Sequence, residues 1–228
     1  MKPLIIAGNW KSNKTTAEAM RWLQDFKTSH ISIPSHIRVV LCVPFTLLYT
    51  VKEEIKVHKL PMELGAQNVS PFPDGAETGE ESARMVKDLA DWVIIGHSER
   101  RKNFNETDEL LAKKVEQAKK VGLRVMYCVQ DESISIPNGI DVVGYEPPWA
   151  ISAVSNGKSQ SAEEANKVCT LIKKKFSDTP VIYGGSASPD NITSYIHQPA
   201  IDGVLSGGAS LISEKFVKLI SAAAHCTV

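Results

Sequence analysis

The stretch Trp92-Val93-Ile94-Ile95-Gly96-His97-Ser98-Glu99-Arg100-Arg101 contains the unit from which the chain is built. A short apolar, β-branched run stops at a glycine and gives way at once to an imidazole, a hydroxyl and a carboxylate. Runs of the same kind recur at Leu4–Ala7, Val39–Val43, Glu63–Ala66, Arg124–Val129, Asp141–Gly144, Val181–Tyr183 and Gly203–Leu205. Each ends in a cluster drawn from Gly, Asn, Gln, His, Glu and Ser, so the pattern gives eight candidate strands. Helical patterns lie between most of them. Ala165, Val168 and Ile172 repeat at helical spacing behind Ser161 and Glu164, which are spaced as a capping box. Leu111, Val115 and Ala118 form another stripe, and Thr15 with Glu18 marks a start ahead of Ala19, Trp22 and Leu23. Strands alternating with helices imply a parallel sheet with right-handed crossovers. Eight such strands fit a closed (β/α)8 barrel, although an open doubly wound sheet of six or seven would read similarly. No low-complexity linker divides the chain, which reads as one α/β domain over residues 1–228.

Composition narrows the function classes. The 228 residues are 43% apolar and 23% charged, which argues against long disorder. A chain of this length buries roughly 70% of its unfolded surface. Lys+Arg and Asp+Glu are both 26. That balance lacks the basic excess of a nucleic-acid binder but leaves room for a local anion site. Cys42, Cys128, Cys169 and Cys226 form no C-x-x-C pair, so a zinc site is not indicated and reduced thiols are expected. The run after Met1 is too short for a signal peptide, and Pro44 and Thr46 interrupt the most apolar stretch, Val39 to Leu48. A soluble, cytoplasmic protein without membrane association is expected.

One interval breaks the alternation. Between Cys128 and Glu146, residues such as Ser133, Ser135, Pro137, Asn138 and Gly139 cannot form a crossover helix of normal length. The fifth helix is expected to be missing or reduced to a turn.

In an α/β barrel the chemistry sits at the carboxyl ends of the strands. Asn9, Trp10 and Lys11 follow the first strand, and His97, Ser98 and Glu99 follow the fourth. Glu146, Pro147, Pro148 and Trp149 follow the sixth. Gly184, Gly185 and Ser186 end the seventh, and Ser206, Gly207 and Gly208 the eighth. Alone, Lys11 or Glu146 reads as a solvated charge, His97 as a structural histidine, and a glycine pair as a tight turn. Together they place a cation, an imidazole, a carboxylate and two glycine-rich turns on one rim. Gly207-Gly208-Ala209-Ser210 also opens a helical segment, Leu211–Ala224, and amides bared at such a start suit a phosphate.

These segments resemble the triosephosphate isomerase family. The likeness rests on Ala7-Gly8-Asn9-Trp10-Lys11, Gly65-Ala66-Gln67-Asn68, Gly96 through Arg101, Tyr145 through Ile151, Tyr183 through Ser186, and Asp202 through Ser210. They occur in the family's order over nearly the whole chain. The resemblance implies a TIM barrel and no metal or organic cofactor. The implied activity is interconversion of dihydroxyacetone phosphate and glyceraldehyde 3-phosphate, as in glycolysis and gluconeogenesis. It further implies that Glu146 is the proton-transferring base and His97 the electrophile, with Lys11 a fixed positive charge, Asn9 a hydrogen-bonding neighbour and Glu99 a partner for Lys11. In that family the imidazole is kept neutral by a helix N-terminus and a lid closes over the substrate. Ser98 to Arg101 could start such a helix. Ser186, Gly207 and Gly208 match the phosphate contacts.

Two segments depart from the family pattern. The family's lid reads Ala-Ile-Gly-Thr-Gly-Lys, whereas here Ala150-Ile151-Ser152-Ala153-Val154-Ser155-Asn156-Gly157-Lys158 is three residues longer and lacks the first glycine. Aligned from the left, the lid amide that reaches phosphate falls on Ser152. Val129-Gln130-Asp131 stands where the family commonly has Ile-Gly-Glu. The altered lid leaves open an alternative, a catalytically weak phosphosugar-binding or structural barrel. The loop from Val69 to Glu81, with Thr78 at its tip, has the length that in the family inserts into a second subunit, so a homodimer is expected. Barrel surface left bare by the absent helix would be covered by Ile134, Ile136 and Ile140, or by another subunit in a tetramer.

Overall fold

Eight parallel strands close into a barrel in sequence order, β1 through β8 and back to β1. The structure, a computed structural model, describes residues 2–150 and 160–226. The strands are β1 (Leu4–Asn9), β2 (Ile37–Val43), β3 (Glu63–Ala66), β4 (Trp92–Ile95), β5 (Arg124–Val129), β6 (Val142–Tyr145), β7 (Val181–Tyr183) and β8 (Gly203–Ser206). All eight expected strands are present. The described helices are α1 (Thr16–Thr28), α2 (Phe45–His58), α3 (Ala83–Leu89), α4 (Ser98–Phe104), α5 (Asp108–Lys120), α6 (Ala162–Lys175), α7 (Ile192–Ile196) and α8 (Ser213–Ala224). Thr15 and Glu18 form the expected reciprocal capping box at α1, and Ser161 accepts from the Glu164 amide at α6.

Strand alternation divides the core in two. Ile5, Ala7, Val40, Cys42, Ile94, Met126, Cys128, Val142, Ile182 and Leu205 belong to one buried cluster, the barrel interior. Their neighbours of opposite parity, such as Leu4, Ile6, Val39, Leu41, Val93 and Val125, pack outward against the helices. The same parity carries Asn9, after Ile5 and Ala7, and Glu146, after Val142 and Gly144, to the interior side of the rim.

No helix connects β5 to β6; residues 130–141 run as turns and irregular chain. Ile134, Ile136 and Ile140 pack against the main core, so the chain covers this wall itself. The segment is tied down at several points. Asp141 Oδ2 accepts from Val125 N at 2.8 Å and pairs with Lys119 at 2.9 Å, while Lys175 Nζ donates to Glu132 O at 2.6 Å. Asp141 thus serves as a tether and β6 begins one residue later than its pattern reads. Among the described residues, no helix is long and apolar enough to cross a membrane.

The expected helix Leu211–Ala224 is divided. Gly208–Leu211 is a 3-10 turn, Ile212 is extended (φ −116°, ψ 118°), and α8 starts only at Ser213. The glycine-rich turn therefore does not open α8.

Candidate active site

The ends of β1, β4, β6, β7 and β8 meet around one recess, lined by Asn9, Lys11, His97, Glu146, Gly184, Gly185, Leu205 and Gly207. Each side chain arrives there for a local reason. At β1, Asn9 Oδ1 accepts from Lys11 N at 2.9 Å, and Gln67 Nε2 donates to Lys11 O at 3.0 Å. These bonds hold Lys11 in a left-handed conformation (φ 53°), which is uncommon outside glycine. The Lys11 ammonium meets Glu99 Oε1 at 2.5 Å, the partner expected for it.

At β4, Gly96 turns the chain with φ 77°, a region open to glycine, and a Cβ there would come within 3.1 Å of Cys128 O. The turn makes His97 the N-cap of α4, so the expected short helix forms. His97 Nδ1 accepts from Glu99 N at 3.2 Å. In the neutral ring that bond leaves the proton on Nε2, which lies 3.0 Å from Glu146 Oε1.

Glu146 is 2% exposed. Its second oxygen accepts from Ser98 N at 3.0 Å, the first free amide of α4. Space for its stem exists because position 184 has no side chain: a Cβ on Gly184 would lie 2.6 Å from Glu146 Cγ. Burial pushes the Glu146 carboxyl up, but the His97 imidazole, the Ser98 amide and the more distant Lys11 outweigh it, holding it below the ordinary value. For His97, burial pulls the imidazole down and Lys11 adds to that. The neighbouring Glu146 and Glu99 carboxylates prevail, and the ring is held above its usual value. Charging the ring places a proton on Nδ1, where the Glu99 amide already points, so the helix start opposes what the carboxylates favour.

The remaining expected site residues are less uniform. Ser186 donates from both its amide (3.0 Å) and its hydroxyl (2.9 Å) to Ala150 O, at the end of the 3-10 turn Pro148–Ala150. Gly207 lines the recess and Gly208 is exposed beside it. Ser152, with the rest of 151–159, lies outside the described residues. Among the described residues, no group of three or more His, Cys, Asp or Glu side chains could hold a metal ion.

Two neighbours of the site carried no functional signal when read alone. Burial, followed by the charge of the Glu146 carboxylate, pushes the Cys128 thiol well above its ordinary value. Its place is implied only by parity with Met126 inside the barrel. Gln67, under Lys11, lies in one of the quoted segments, but nothing in the sequence links it to Lys11.

The arrangement can polarise an oxygen through an imidazole N–H, take up a carbon-bound proton on a buried carboxylate, and present a cation to developing negative charge. The family model for triosephosphate isomerase matches residues 4–223. A triosephosphate isomerase of Nostoc sp. is 39% identical over 244 aligned positions, covering 97% of this chain and 99% of that protein. One from Synechococcus sp. is 40% identical, with 97% and 95% covered. One from Alkaliphilus metalliredigens is 37% identical, with 97% and 100% covered.

Proposed function

The chain belongs to the triosephosphate isomerase family, and from that premise we propose how its own residues interconvert dihydroxyacetone phosphate and D-glyceraldehyde 3-phosphate. It is an aldose–ketose isomerase acting on triose phosphates. Glu146 is the base that moves a proton between C1 and C2, and His97 donates from Nε2 to the substrate oxygens. Lys11 offsets the charge of the enediolate, with Asn9 beside it and Glu99 orienting it. The observation that carries this reading is the 3.0 Å contact of His97 Nε2 with Glu146, joined to the Glu99 amide on Nδ1.

Without substrate, the acid and base hold each other. A substrate oxygen that takes over the Nε2 proton releases Glu146 toward the carbons. Glu146 then loses the imidazole that held its carboxyl down, while burial, the opposing influence, persists, so its basicity rises when the carbon acid is in place. His97 simultaneously loses its strongest upward influence, Glu146. What remains is burial and Lys11 pulling it down, with Glu99 pulling it up. A neutral imidazole then serves as electrophile, as is described for this enzyme family.

Ser186, Gly207 and Gly208 bind the phosphate, with Ser152 of the lid completing the set. Contact by the Ser186 amide requires it to exchange its bond to Ala150 O. The enzyme works as a homodimer joined through the Val69–Glu81 loop. The exposed tip at Thr78 and the 42% exposure of Phe72 support this. Because Ile134, Ile136 and Ile140 already cover the barrel wall, that wall gives no reason for a tetramer. The cytoplasm suits its four buried, unpaired thiols, and the reaction serves glycolysis and gluconeogenesis.

A coupled assay with dihydroxyacetone phosphate tests the reading. Turnover by the wild type and a fall of about 10²–10⁴-fold in kcat for Glu146→Gln are expected. Near-normal turnover by that variant would remove Glu146 from its role.

A further inference from the structure

We propose that Trp22, on α1, is a positioning residue for the phosphate-binding turn, acting through the carbonyl of Ser210. The inference rests on the reading of Gly207 and Gly208 as phosphate contacts and adds to it the groups that hold them in place.

Ser210 is fully buried behind the turn, and its carbonyl receives two indoles. Trp10 Nε1 donates to it at 3.1 Å and Trp22 Nε1 at 3.0 Å. A carbonyl oxygen has two lone pairs, and both are used. Ser210 in turn fixes Gly207: its amide donates to Gly207 O at 3.1 Å and its hydroxyl to the same oxygen at 2.7 Å. The carbonyl of Gly207 and the amide of Gly208 belong to one planar peptide unit and point in opposite directions. Holding Gly207 O inward therefore directs the Gly208 N–H outward, to the rim. On the following peptide, Lys14 Nζ donates to Leu211 O at 2.8 Å from a position 5.0 Å over the Trp10 ring. The turn is thus gripped from behind at three carbonyls, with a cation at the rear of an anion site. Preorganised donors of this kind bind an anion without first rearranging.

The indole nitrogen, rather than ring bulk, is the functional part of Trp22. The ring stacks on Phe26 (5.4 Å between centroids) and touches Phe216 (5.9 Å), contacts a phenylalanine would largely retain. Trp22→Phe keeps the packing and deletes one donor to Ser210 O. Ser210→Ala removes the hydroxyl link one step nearer the site.

The experiment titrates inorganic phosphate into wild type and both variants while following the Gly207 and Gly208 amide resonances. It also compares kcat/KM on D-glyceraldehyde 3-phosphate and on unphosphorylated D-glyceraldehyde. Loss of one net hydrogen bond predicts a phosphate Kd about fivefold weaker in Trp22→Phe. A matching loss is expected on the phosphorylated substrate and none on the unphosphorylated one. An unchanged phosphate Kd, or equal losses on both substrates, overturns the role of Trp22. If the Gly207 and Gly208 amides of the wild type ignore phosphate, the turn itself is misread and the inference falls with it.

Discussion

Two carboxylates are buried on either side of α4, and they are partnered in opposite ways. Glu146, 2% exposed, accepts from an imidazole and a backbone amide at the start of α4. Glu106, 6% exposed, lies between α4 and α5, where Oε1 takes Arg100 Nε at 2.7 Å and Lys114 Nζ at 2.5 Å. Lys114 is itself 2% exposed and also donates to Asn68 Oδ1 at 2.6 Å, tying α5 to the segment after β3. The partners of Glu106 carry fixed charge and form a clamp. In the proposed mechanism the partners of Glu146 are traded: the imidazole gives up its contact to a substrate oxygen. A carboxylate that transfers protons needs replaceable partners, whereas one that anchors a helix needs permanent ones.

The comparison breaks first at Gly184. Adding a methyl in Gly184→Ala presses on Glu146 Cγ and on Tyr145 O, and a carboxylate displaced by about 1 Å loses roughly 100-fold in rate. Steady-state kinetics should show the loss in kcat, with melting temperature little changed; a fully active variant would mean that Glu146 need not stand where it does. The anchoring pair should respond in the other currency. Lys114→Met leaves Glu106 short of a buried partner and should destabilise the fold by about 3 kcal/mol in denaturant unfolding. Turnover of the molecules that remain folded should stay within about threefold of wild type, less than one hydrogen bond's worth of effect. A collapse of kcat without loss of stability would erase the distinction between the two carboxylates.

Acid and base separate the pair at the rim. Glu146 is held below and His97 above their ordinary values of about 4.3 and 6.5. The lowered carboxylate contributes stability above pH of about 4.3, which is lost as pH falls through its folded value. The raised imidazole contributes below pH of about 6.5, lost as pH rises through its folded value. Wild type should therefore exceed Glu146→Gln in stability most clearly near pH of about 5.5, between the two. Unfolding curves that differ equally at pH of about 5.5 and about 9 would contradict the opposed shifts of Glu146 and His97. The smallest effect belongs to the wall without a helix. Ile136→Val should cost about 1 kcal/mol or less, with kcat unchanged, because the isoleucine is a partly buried wall residue that does not line the recess.

Much of this was legible in the sequence because barrel strands are short, apolar and closed by polar clusters. Trp92–Ile95, Arg124–Val129 and Val181–Tyr183 coincide with β4, β5 and β7 as read. The missing fifth helix was legible for the converse reason, since Pro137 and Gly139 exclude it. The candidate site was legible as a set of strand ends, and by the motif resemblance. Its contacts were not, because they join distant positions. Nothing in the Leu111, Val115, Ala118 stripe marks the adjacent Lys114 as buried, yet tertiary packing sets it against Glu106. The break at Ile212 was hidden because an isoleucine fits both a helical stripe and an extended link. The grip of Trp22 on Ser210 spans almost the whole chain, and α1 reads simply as an amphipathic helix.

Deuterium uptake at C1 of dihydroxyacetone phosphate in D2O tests the central assignment most directly, because it follows the proton itself. The wild type should exchange this position during turnover. Glu146→Gln should exchange about 10²–10⁴-fold more slowly while still binding inorganic phosphate. Exchange at the wild-type rate in that variant would contradict the assignment of Glu146 as the base.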